Sequence, residues 1–228
     1  MSAFERTIQL IGEDTFRHMQ QTRVILFGTG GVGGWCAESL LRTGIGHIRL
    51  VDFDTVADSN LNRQIVALSS NIGLPKAEQM RQRLLAILPQ GDISVTTARY
   101  SAETAEDFNL GEYDYVIDAI DYVPDKMLLI HNATLSGATL FSSMGAGRKI
   151  DPTQVRVSEF WKVEGCPLAR ALRNKMKKEH ILPAKKFQCV WSPEQSGTAG
   201  TLAPVVGTFG MMLAGLVVQD ICRKTCNN

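Results

Sequence analysis

A glycine-rich loop is the first segment whose composition suggests chemistry. It is formed by Gly28-Thr29-Gly30-Gly31-Val32-Gly33 and follows a short apolar stretch. Glycines let a backbone approach a phosphate closely, and the N-terminus of a following helix favours the negative charge. Gly28, Gly30, Gly31 and Gly33 therefore predict a nucleotide-binding loop. By itself the pattern fits a dinucleotide-binding dehydrogenase as well as an ATP-binding enzyme.

Polar and charged side chains beyond the next apolar stretch separate these two alternatives. Asp52 and Asp54 follow that stretch, and Asn60, Arg63 and Lys76 come next along the chain. A guanidinium and an ammonium group beyond an acidic strand end suit the charge of a triphosphate, whereas a nicotinamide cofactor does not require them. These residues therefore favour an ATP site over a dinucleotide site.

Asp121 adds a carboxylate just beyond a further apolar stretch, at residues 113–119. With Asp52 and the glycine loop, it would lie where three neighbouring strands end. Open α/β sheets bind their ligands at such an edge. Each of these residues alone could be an ordinary surface group, but their convergence predicts a binding site.

Apolar stretches and helical spacing alternate along the chain before residue 150. The pattern predicts strands at 23–28, 47–52, 92–98, 113–119 and 139–143, and helices at 32–43, 76–88 and 124–136. This β-α-β alternation is typical of an α/β fold with a Rossmann-like, doubly wound, mostly parallel sheet.

The flanking segments are interpreted as additions to one domain that spans 1–228. An N-terminal arm occupies 1–22, with a helix at 14–21. The extension at 150–228 contains a strand at 154–161, a polar helix at 168–179 and an apolar C-terminal segment, and we expect its strands to be antiparallel. The length of 228 residues suits a single α/β domain.

The apolar segment 196–218 has no charged residue, and Pro204 and five glycines interrupt it. A membrane-spanning helix could be fitted there. We predict instead a buried helix that begins near Leu202, because a run rich in glycine and threonine is weakly hydrophobic on insertion scales. Charges near the N-terminus predict no export signal and hence a cytoplasmic protein. Peripheral membrane association through the apolar segment is the alternative.

Cysteine usage and net charge exclude several classes of protein. The five cysteines include no Cys-x-x-Cys pair, which argues against a disulfide framework and a tetrathiolate zinc site. A formal net charge of +1 predicts neither a general polyanion binder nor a strongly acidic partner. Any basic surface must therefore be local.

The motifs around the glycine loop resemble those of the E1-like proteins that adenylate carboxylates, including the activators of ubiquitin-like sulfur carriers. The resemblance extends from residue 6 to at least residue 149. It implies that ATP and Mg²⁺ are the cofactors and that the activated acyl group passes to a second nucleophile while AMP leaves. It assigns the ribose hydroxyls to Asp52, the phosphates to Asn60, Arg63 and Lys76, and Mg²⁺ to Asp121.

The same resemblance implies a homodimer. Family members complete each active site with an N-terminal arginine from the other subunit, and Arg6 occupies that place in this chain. From the sequence alone, a surface arginine near a frayed terminus is the simpler interpretation.

Within the family, the chain resembles the tRNA threonylcarbamoyladenosine dehydratases more than the sulfur-carrier activators. The segments that carry this resemblance are Arg42-Thr43-Gly44-Ile45-Gly46, Asn62-Arg63-Gln64-Ile65, Val116-Ile117-Asp118-Ala119-Ile120-Asp121 and Ile150-Asp151-Pro152-Thr153-Gln154. The sulfur-carrier activators usually have paired Cys-x-x-Cys zinc ligands, which this chain lacks. The resemblance implies ATP-dependent cyclisation of threonylcarbamoyladenosine at tRNA position 37.

A basic segment agrees with a tRNA substrate. Residues 162–186 include eight lysines and arginines against two glutamates. Clustered positive charge suits a phosphate backbone, although a solvated helix face has the same composition. We expect tRNA and no DNA as partner, and a sulfur-transfer or substrate-delivery protein is a further candidate.

Cys189 lies in a segment that resembles a family strand leading to a crossover loop. A thioester role for Cys189 stays open, but cyclisation does not require one. Dehydratase relatives carry a further cysteine shortly before the C-terminal helix, and residues 194–202 contain none. That departure argues against a sulfur relay.

Two other classes of function remain alternatives. A dehydrogenase would need an acid or base for hydride transfer, and none of the four histidines has a motif context for it. A non-catalytic RNA-binding module would not require Asp52, Arg63, Lys76 and Asp121 together.

Overall fold

A seven-stranded sheet forms the centre of the protein, whose computed structural model describes residues 3–226. The strands are β1 (Arg23–Phe27), β2 (His47–Val51), β3 (Asp92–Thr96), β4 (Tyr115–Asp118), β5 (Thr139–Ser143), β6 (Arg156–Glu159) and β7 (Gln188–Trp191). Their order across the sheet is β3-β2-β1-β4-β5-β7-β6. Only the last pair of this sheet is antiparallel. The predicted parallel sheet with an antiparallel extension is thus confirmed.

Helices cover both faces of the sheet. They are α1 (Glu5–Ile11), α2 (Glu13–Gln21), α3 (Gly33–Thr43), α4 (Lys76–Ile87), α5 (Val123–Leu135), α6 (Pro167–Glu179) and α7 (Ala203–Cys226). Short 3-10 helices lie at Asp58–Asn60, Ser69–Asn71, Ala105–Phe108, Leu110–Glu112, Pro152–Gln154 and Phe160–Lys162.

Alternating side chains of β1 belong to two separate cores. Val24 and Leu26 pack in a core with α3, α4 and α7, whereas Ile25 and Phe27 pack in the other core with α5 and α6. Successive side chains of a strand point to opposite faces, so a strand covered on both faces needs an unbroken apolar run. This explains why the β1 sequence shows no polar alternation.

Most elements before residue 150 lie within a few residues of their predicted bounds. The strand predicted at 154–161 is limited to residues 156–159, because 3-10 helices occupy both of its flanks. Helix α1 was not predicted. It has only seven residues and none of them is fully buried, so it is too short to show the helical periodicity on which a sequence-based prediction depends.

Helix α7 confirms the predicted buried helix near Leu202. It has the length and apolar composition of a membrane-spanning helix, but half of its apolar window is buried inside the protein. Phe209 and Leu213 on this helix are fully buried in the core that α3 also lines. Packing on α3 therefore accounts for much of its apolar character.

Gly210 allows α7 to lie directly against α3. A Cβ atom at this position would lie 2.4 Å from the carbonyl oxygen of Val32 and 2.8 Å from the backbone nitrogen of Cys36. Both obstacles are backbone atoms, so a side chain would force the two helices apart. We expect Gly210→Ala to lower the free energy of unfolding by about 1–3 kcal/mol, as overpacked cores do.

Gly215→Ala is the matched control on the same helix, because nothing lies within 4 Å of a Cβ atom there. The helix propensity of alanine should raise its stability by up to about 1 kcal/mol. Urea unfolding of both variants gives the comparison. Equal stability of the two would contradict the close packing of α3 and α7.

Candidate nucleotide site

A cavity of about 390 Å³ lies at the carboxyl ends of the parallel strands. Gly28, Asp52, Ala119 and Ser143 line it, and each stands at or just beyond the end of a different strand. A larger cavity of about 1010 Å³ runs along α7, β5 and β7. It includes none of the predicted nucleotide ligands, so the smaller cavity is the candidate site.

The glycine loop bends sharply between β1 and α3. Gly28 has a φ of +88°, and a Cβ atom there would lie 2.9 Å from the carbonyl oxygen of Ala119. A Cβ atom on Gly33 would lie only 1.7 Å from the carbonyl oxygen of Gly28. Gly30 and Gly31 line the cavity itself. The loop thus needs glycine at both of its ends and presents backbone to the cavity between them.

Asp52 is fixed in place by the glycine loop. Its Oδ2 accepts hydrogen bonds from the backbone nitrogen of Thr29 at 2.6 Å and from the Thr29 hydroxyl at 2.9 Å. Its Oδ1 accepts one from the backbone nitrogen of Asp54 at 2.9 Å. Because a carboxylate can accept about four hydrogen bonds, Asp52 retains capacity for a ligand hydroxyl.

Lys76 and Asp54 form an ion pair at the edge of the cavity. Their Nζ and Oδ2 atoms are 2.8 Å apart, and Lys76 is only 6% exposed. The backbone nitrogen of Lys76 also donates to the carbonyl oxygen of Asp54. These contacts hold the ammonium group at the first residue of α4, beside the cavity, before any phosphate arrives.

Arg63 contributes a second cation to the cavity lining. Its Nη1 donates to the carbonyl oxygen of Ser59 at 2.7 Å and to Oδ1 of Asn62 at 2.9 Å. No carboxylate of the described residues pairs with this guanidinium. Its charge therefore remains available to an anionic ligand.

Gln64 is a cavity residue that the sequence did not single out. It is 7% exposed and lines the cavity, and its Oε1 has no hydrogen-bond partner among residues 3–226. A buried polar atom without a hydrogen-bond partner lowers the stability of the protein, so we expect a ligand or a water to donate to this one. Its signal in the sequence was its place in Asn62-Arg63-Gln64-Ile65, one of the segments that carry the family resemblance.

Three predicted site residues do not line the cavity. Asn60 is buried beside it, and its Oδ1 accepts a hydrogen bond from the backbone nitrogen of Ala57 at 3.0 Å. That bond fixes the short helix from which the chain continues to Arg63. Gly33 packs under the loop, and Arg6 is exposed on α1. Within one chain, therefore, Arg6 is not part of the site.

Asp121 is exposed at the cavity, in the loop after β4. A fully buried ion pair lies behind this loop: Nζ of Lys126 is 2.7 Å from Oδ2 of Asp118. Lys126 also donates to the carbonyl oxygen of Ile120, and Asp118 accepts from the backbone nitrogen of Ile120 and from the Ser142 hydroxyl. The pair therefore anchors the loop that presents Asp121.

Arg99 and Tyr122 form another part of the wall that was not predicted. Arg99 makes two hydrogen bonds to Asp125, at 2.5 and 2.9 Å, and lies 4.5 Å above the Tyr122 ring. Its hydrogen bonds to Asp125 and Tyr122 raise the pKa of Arg99. Asp125 is thereby neutralised, and so is Asp54 by Lys76. Asp52 and Asp121 are the two cavity carboxylates that have no ion-pair partner among the described residues, and of these Asp52 is already hydrogen-bonded to the glycine loop.

Cys189 lies inside the sheet and not in the cavity. It is fully buried in β7, between Ser142 of β5 and Ser158 of β6. Burial raises the pKa of its thiol well above the ordinary value. A buried protonated thiol is a poor nucleophile, so the geometry gives no support to a thioester at Cys189.

Comparisons with known proteins find similar sequences along most of the chain. The model of the ThiF family matches residues 4–228. A tRNA threonylcarbamoyladenosine dehydratase from Escherichia coli is 40% identical, over 84% of this chain and 73% of the relative. Dehydratase 2 from Saccharomyces cerevisiae is 37% identical over 97% of this chain, which spans 57% of that longer relative.

A solved structure is also similar to this chain over nearly its whole length. The E. coli tRNA N6-threonylcarbamoyladenosine dehydratase TcdA in complex with ATP superposes with a TM-score of 0.93 and 34% identity. The match covers 99% of this chain and 96% of that one.

The burial of Cys189 leads to a testable expectation. Cys189→Ala should retain most of the ATP-dependent activity, because acyl transfer within one substrate needs no covalent enzyme intermediate. Removal of the buried sulfur should cost about 1 kcal/mol of stability. Cys36→Ala is the matched control, since Cys36 is equally buried in α3. A folded but inactive Cys189→Ala beside an active Cys36→Ala would restore the thioester hypothesis.

Proposed function

Because the chain belongs to the ThiF family, we propose that it is an ATP-dependent tRNA threonylcarbamoyladenosine dehydratase. The observation that carries the proposal is the convergence of Gly30, Asp52, Arg63, Lys76 and Asp121 on one cavity. That cavity belongs to a chain which matches dehydratases over most of its length. We assign the whole of 1–228 to one adenylating domain, with an N-terminal arm at 1–22 and an extension at 150–228.

The proposed reaction has two steps. A carboxylate oxygen of threonylcarbamoyladenosine attacks the α-phosphorus of ATP, which forms an acyl-adenylate and releases pyrophosphate. An internal nitrogen or oxygen of the same nucleoside then attacks the acyl carbon and displaces AMP. AMP retains the carboxylate oxygen and one proton leaves the attacking group, so the nucleoside loses the elements of water.

The residues of the cavity can do this chemistry without a protein nucleophile. The first step joins two anions and therefore depends on charge neutralisation and alignment. Arg63 and Lys76 supply positive charge at the phosphates, and Asn60 fixes the turn that leads to Arg63. Asp52 retains acceptor capacity for a ribose hydroxyl. Gln64 adds a buried amide oxygen that a bound donor would satisfy.

Asp121 is suited to hold Mg²⁺ together with the phosphates of ATP. Magnesium usually binds one or two carboxylates, and substrate phosphates and waters complete its shell. Asp121 is exposed to the cavity and has no ion-pair partner within residues 3–226, which fits that donor set. When bound, the ion would neutralise phosphate charge in the first step.

The resemblance to the family also suggests an assembly and a location for the protein. We propose a cytoplasmic homodimer in which Arg6 of one subunit reaches the cavity of the other. The exposure of Arg6 on α1 and its absence from the cavity lining of its own chain support this arrangement. A protein that delivers the substrate or transfers sulfur is a further candidate partner.

A direct assay tests the proposed function. The chain is incubated with ATP, Mg²⁺ and tRNA from cells that lack this activity, and the nucleosides are analysed by mass spectrometry. Loss of one water from threonylcarbamoyladenosine is the expected result. An unchanged nucleoside, beside adenylation of the C-terminus of a ubiquitin-like protein, would instead favour the sulfur-carrier activators.

Arg6 gives a second test, by complementation between subunits. Arg6→Ala and Lys76→Ala should each be inactive alone. After random subunit exchange, each heterodimer would contain one site with both residues and one site with neither. Since half of the dimers would be heterodimers, roughly a quarter of the wild-type activity should return. Labelled subunits confirm the exchange, and a mixture that exchanges and stays inactive would rule out the proposed role of Arg6 in the partner's site.

A further inference from the structure

The first turn of α6 lies at the rim of the nucleotide cavity. Leu168 lines the cavity, and a Cβ atom on the neighbouring Gly145 would lie 3.5 Å from Cβ of Leu168. The helix continues from this rim to Glu179. At a rise of about 1.5 Å per residue, Lys178 lies on the order of 15 Å along the helix from Leu168.

The inner face of α6 anchors the helix to the protein. Ala169, Leu172 and Met176 are buried in the core. Arg173 donates to the carbonyl oxygens of Phe160 and Val163. The guanidinium of Arg173 is thus bound to backbone carbonyl oxygens, so Arg173 does not belong to the exposed face of the helix.

The outer face of α6 is basic, and its cations have no ion-pair partner among the described residues. It consists of the exposed residues Arg170, Ala171, Asn174, Lys177 and Lys178. None of its three cations has an ion-pair partner among residues 3–226, whereas the more enclosed Lys175 pairs with Glu179. Glu179 at the end of the helix is occupied by Lys175, so the three cations keep their charge for an anionic ligand.

An exposed tryptophan lies beside these cations. Trp161 is 40% exposed, and the Lys177 ammonium lies 5.9 Å from its ring centroid. Cations with an accessible aromatic ring form the combination that binds nucleic acid, since phosphates pair with the charges while a base or sugar packs on the ring. The outer face of α6 and Trp161 are called the α6 surface below.

We propose that the α6 surface binds the phosphate backbone of the tRNA anticodon arm. This inference rests on the proposed function, which puts the reacting nucleoside in the cavity where α6 begins. Nucleotides next to that nucleoside must then leave the cavity across its rim. A length of about 15 Å spans several consecutive phosphates of one strand.

Lys177→Ser/Lys178→Ser is the test variant, because both residues lie at the end of α6 far from the cavity. Arg17→Ser/Arg23→Ser removes the same charge elsewhere: Arg17 is exposed on α2, and Arg23 begins β1 at the end opposite the glycine loop. Neither pair belongs to the catalytic machinery. Circular dichroism and ATP affinity of both variants should match the wild type.

Binding of unmodified tRNA, measured over a series of salt concentrations, gives the readout. We expect the α6 variant to bind about tenfold more weakly and its salt slope to fall by about 2, because each of the two lysines neutralises one phosphate. The kcat at saturating tRNA should stay unchanged while KM rises. The control variant should behave as the wild type.

The outcomes separate this inference from the proposed function. If both variants bind tRNA as tightly as the wild type, the α6 surface does not bind tRNA and the inference is overturned. That holds even if the nucleoside is dehydrated. Binding that depends on Lys177 and Lys178, with no dehydration, would support the surface and count against the proposed reaction. A wild-type chain that does not bind tRNA would overturn the inference.

Discussion

The contact between Gly33 and the carbonyl oxygen of Gly28 is the constraint on which the site depends. Only a residue without a side chain can stand at Gly33, because a Cβ atom would lie 1.7 Å from that oxygen. The contact brings the start of α3 onto the end of β1, with Gly30 and Gly31 open to the cavity. Thr29 then lies where its backbone nitrogen and hydroxyl both bind Asp52. One close approach therefore positions together the loop that we propose for the phosphates and the carboxylate that we propose for the ribose.

The charged residues around this loop fall into two groups, those that face the cavity and one pair that is buried behind it. Lys76 is held by Asp54 and Arg63 by carbonyl and amide oxygens, so both cations stand ready at the cavity. Asp118 and Lys126 instead form a buried pair that no ligand can reach. Removal of one partner from such a pair typically costs about 3–5 kcal/mol, because the other charge is left buried alone. Its role is to hold the loop of Asp121, while the groups that line the cavity stay available to the proposed reactants.

The sequence predicted the parts of this arrangement that depend on local pattern. The apolar stretches, the glycine loop and the acidic residues after β2 and β4 identified the sheet edge and the residues Asp52, Arg63, Lys76 and Asp121. Gln64 lay in a segment that resembles the family, but only the fold shows that its Oε1 is buried without a partner. The Arg99–Asp125 pair could not be found from local pattern, since it depends on long-range packing. Residues 99 and 125 belong to separate elements and meet only in the folded protein. Helix α1 was not predicted because its seven residues are too few to show helical periodicity.

The fate of one oxygen atom tests the central claim, which is that this cavity adenylates a carboxylate. Threonylcarbamoyladenosine in tRNA is labelled with ¹⁸O in its carboxylate and incubated with the enzyme and ATP. Adenylation predicts one ¹⁸O atom in the phosphate of AMP, with unlabelled pyrophosphate, because the carboxylate oxygen attacks the α-phosphorus and leaves with AMP. Label in inorganic phosphate together with ADP would mean attack at the γ-phosphorus and would contradict adenylation.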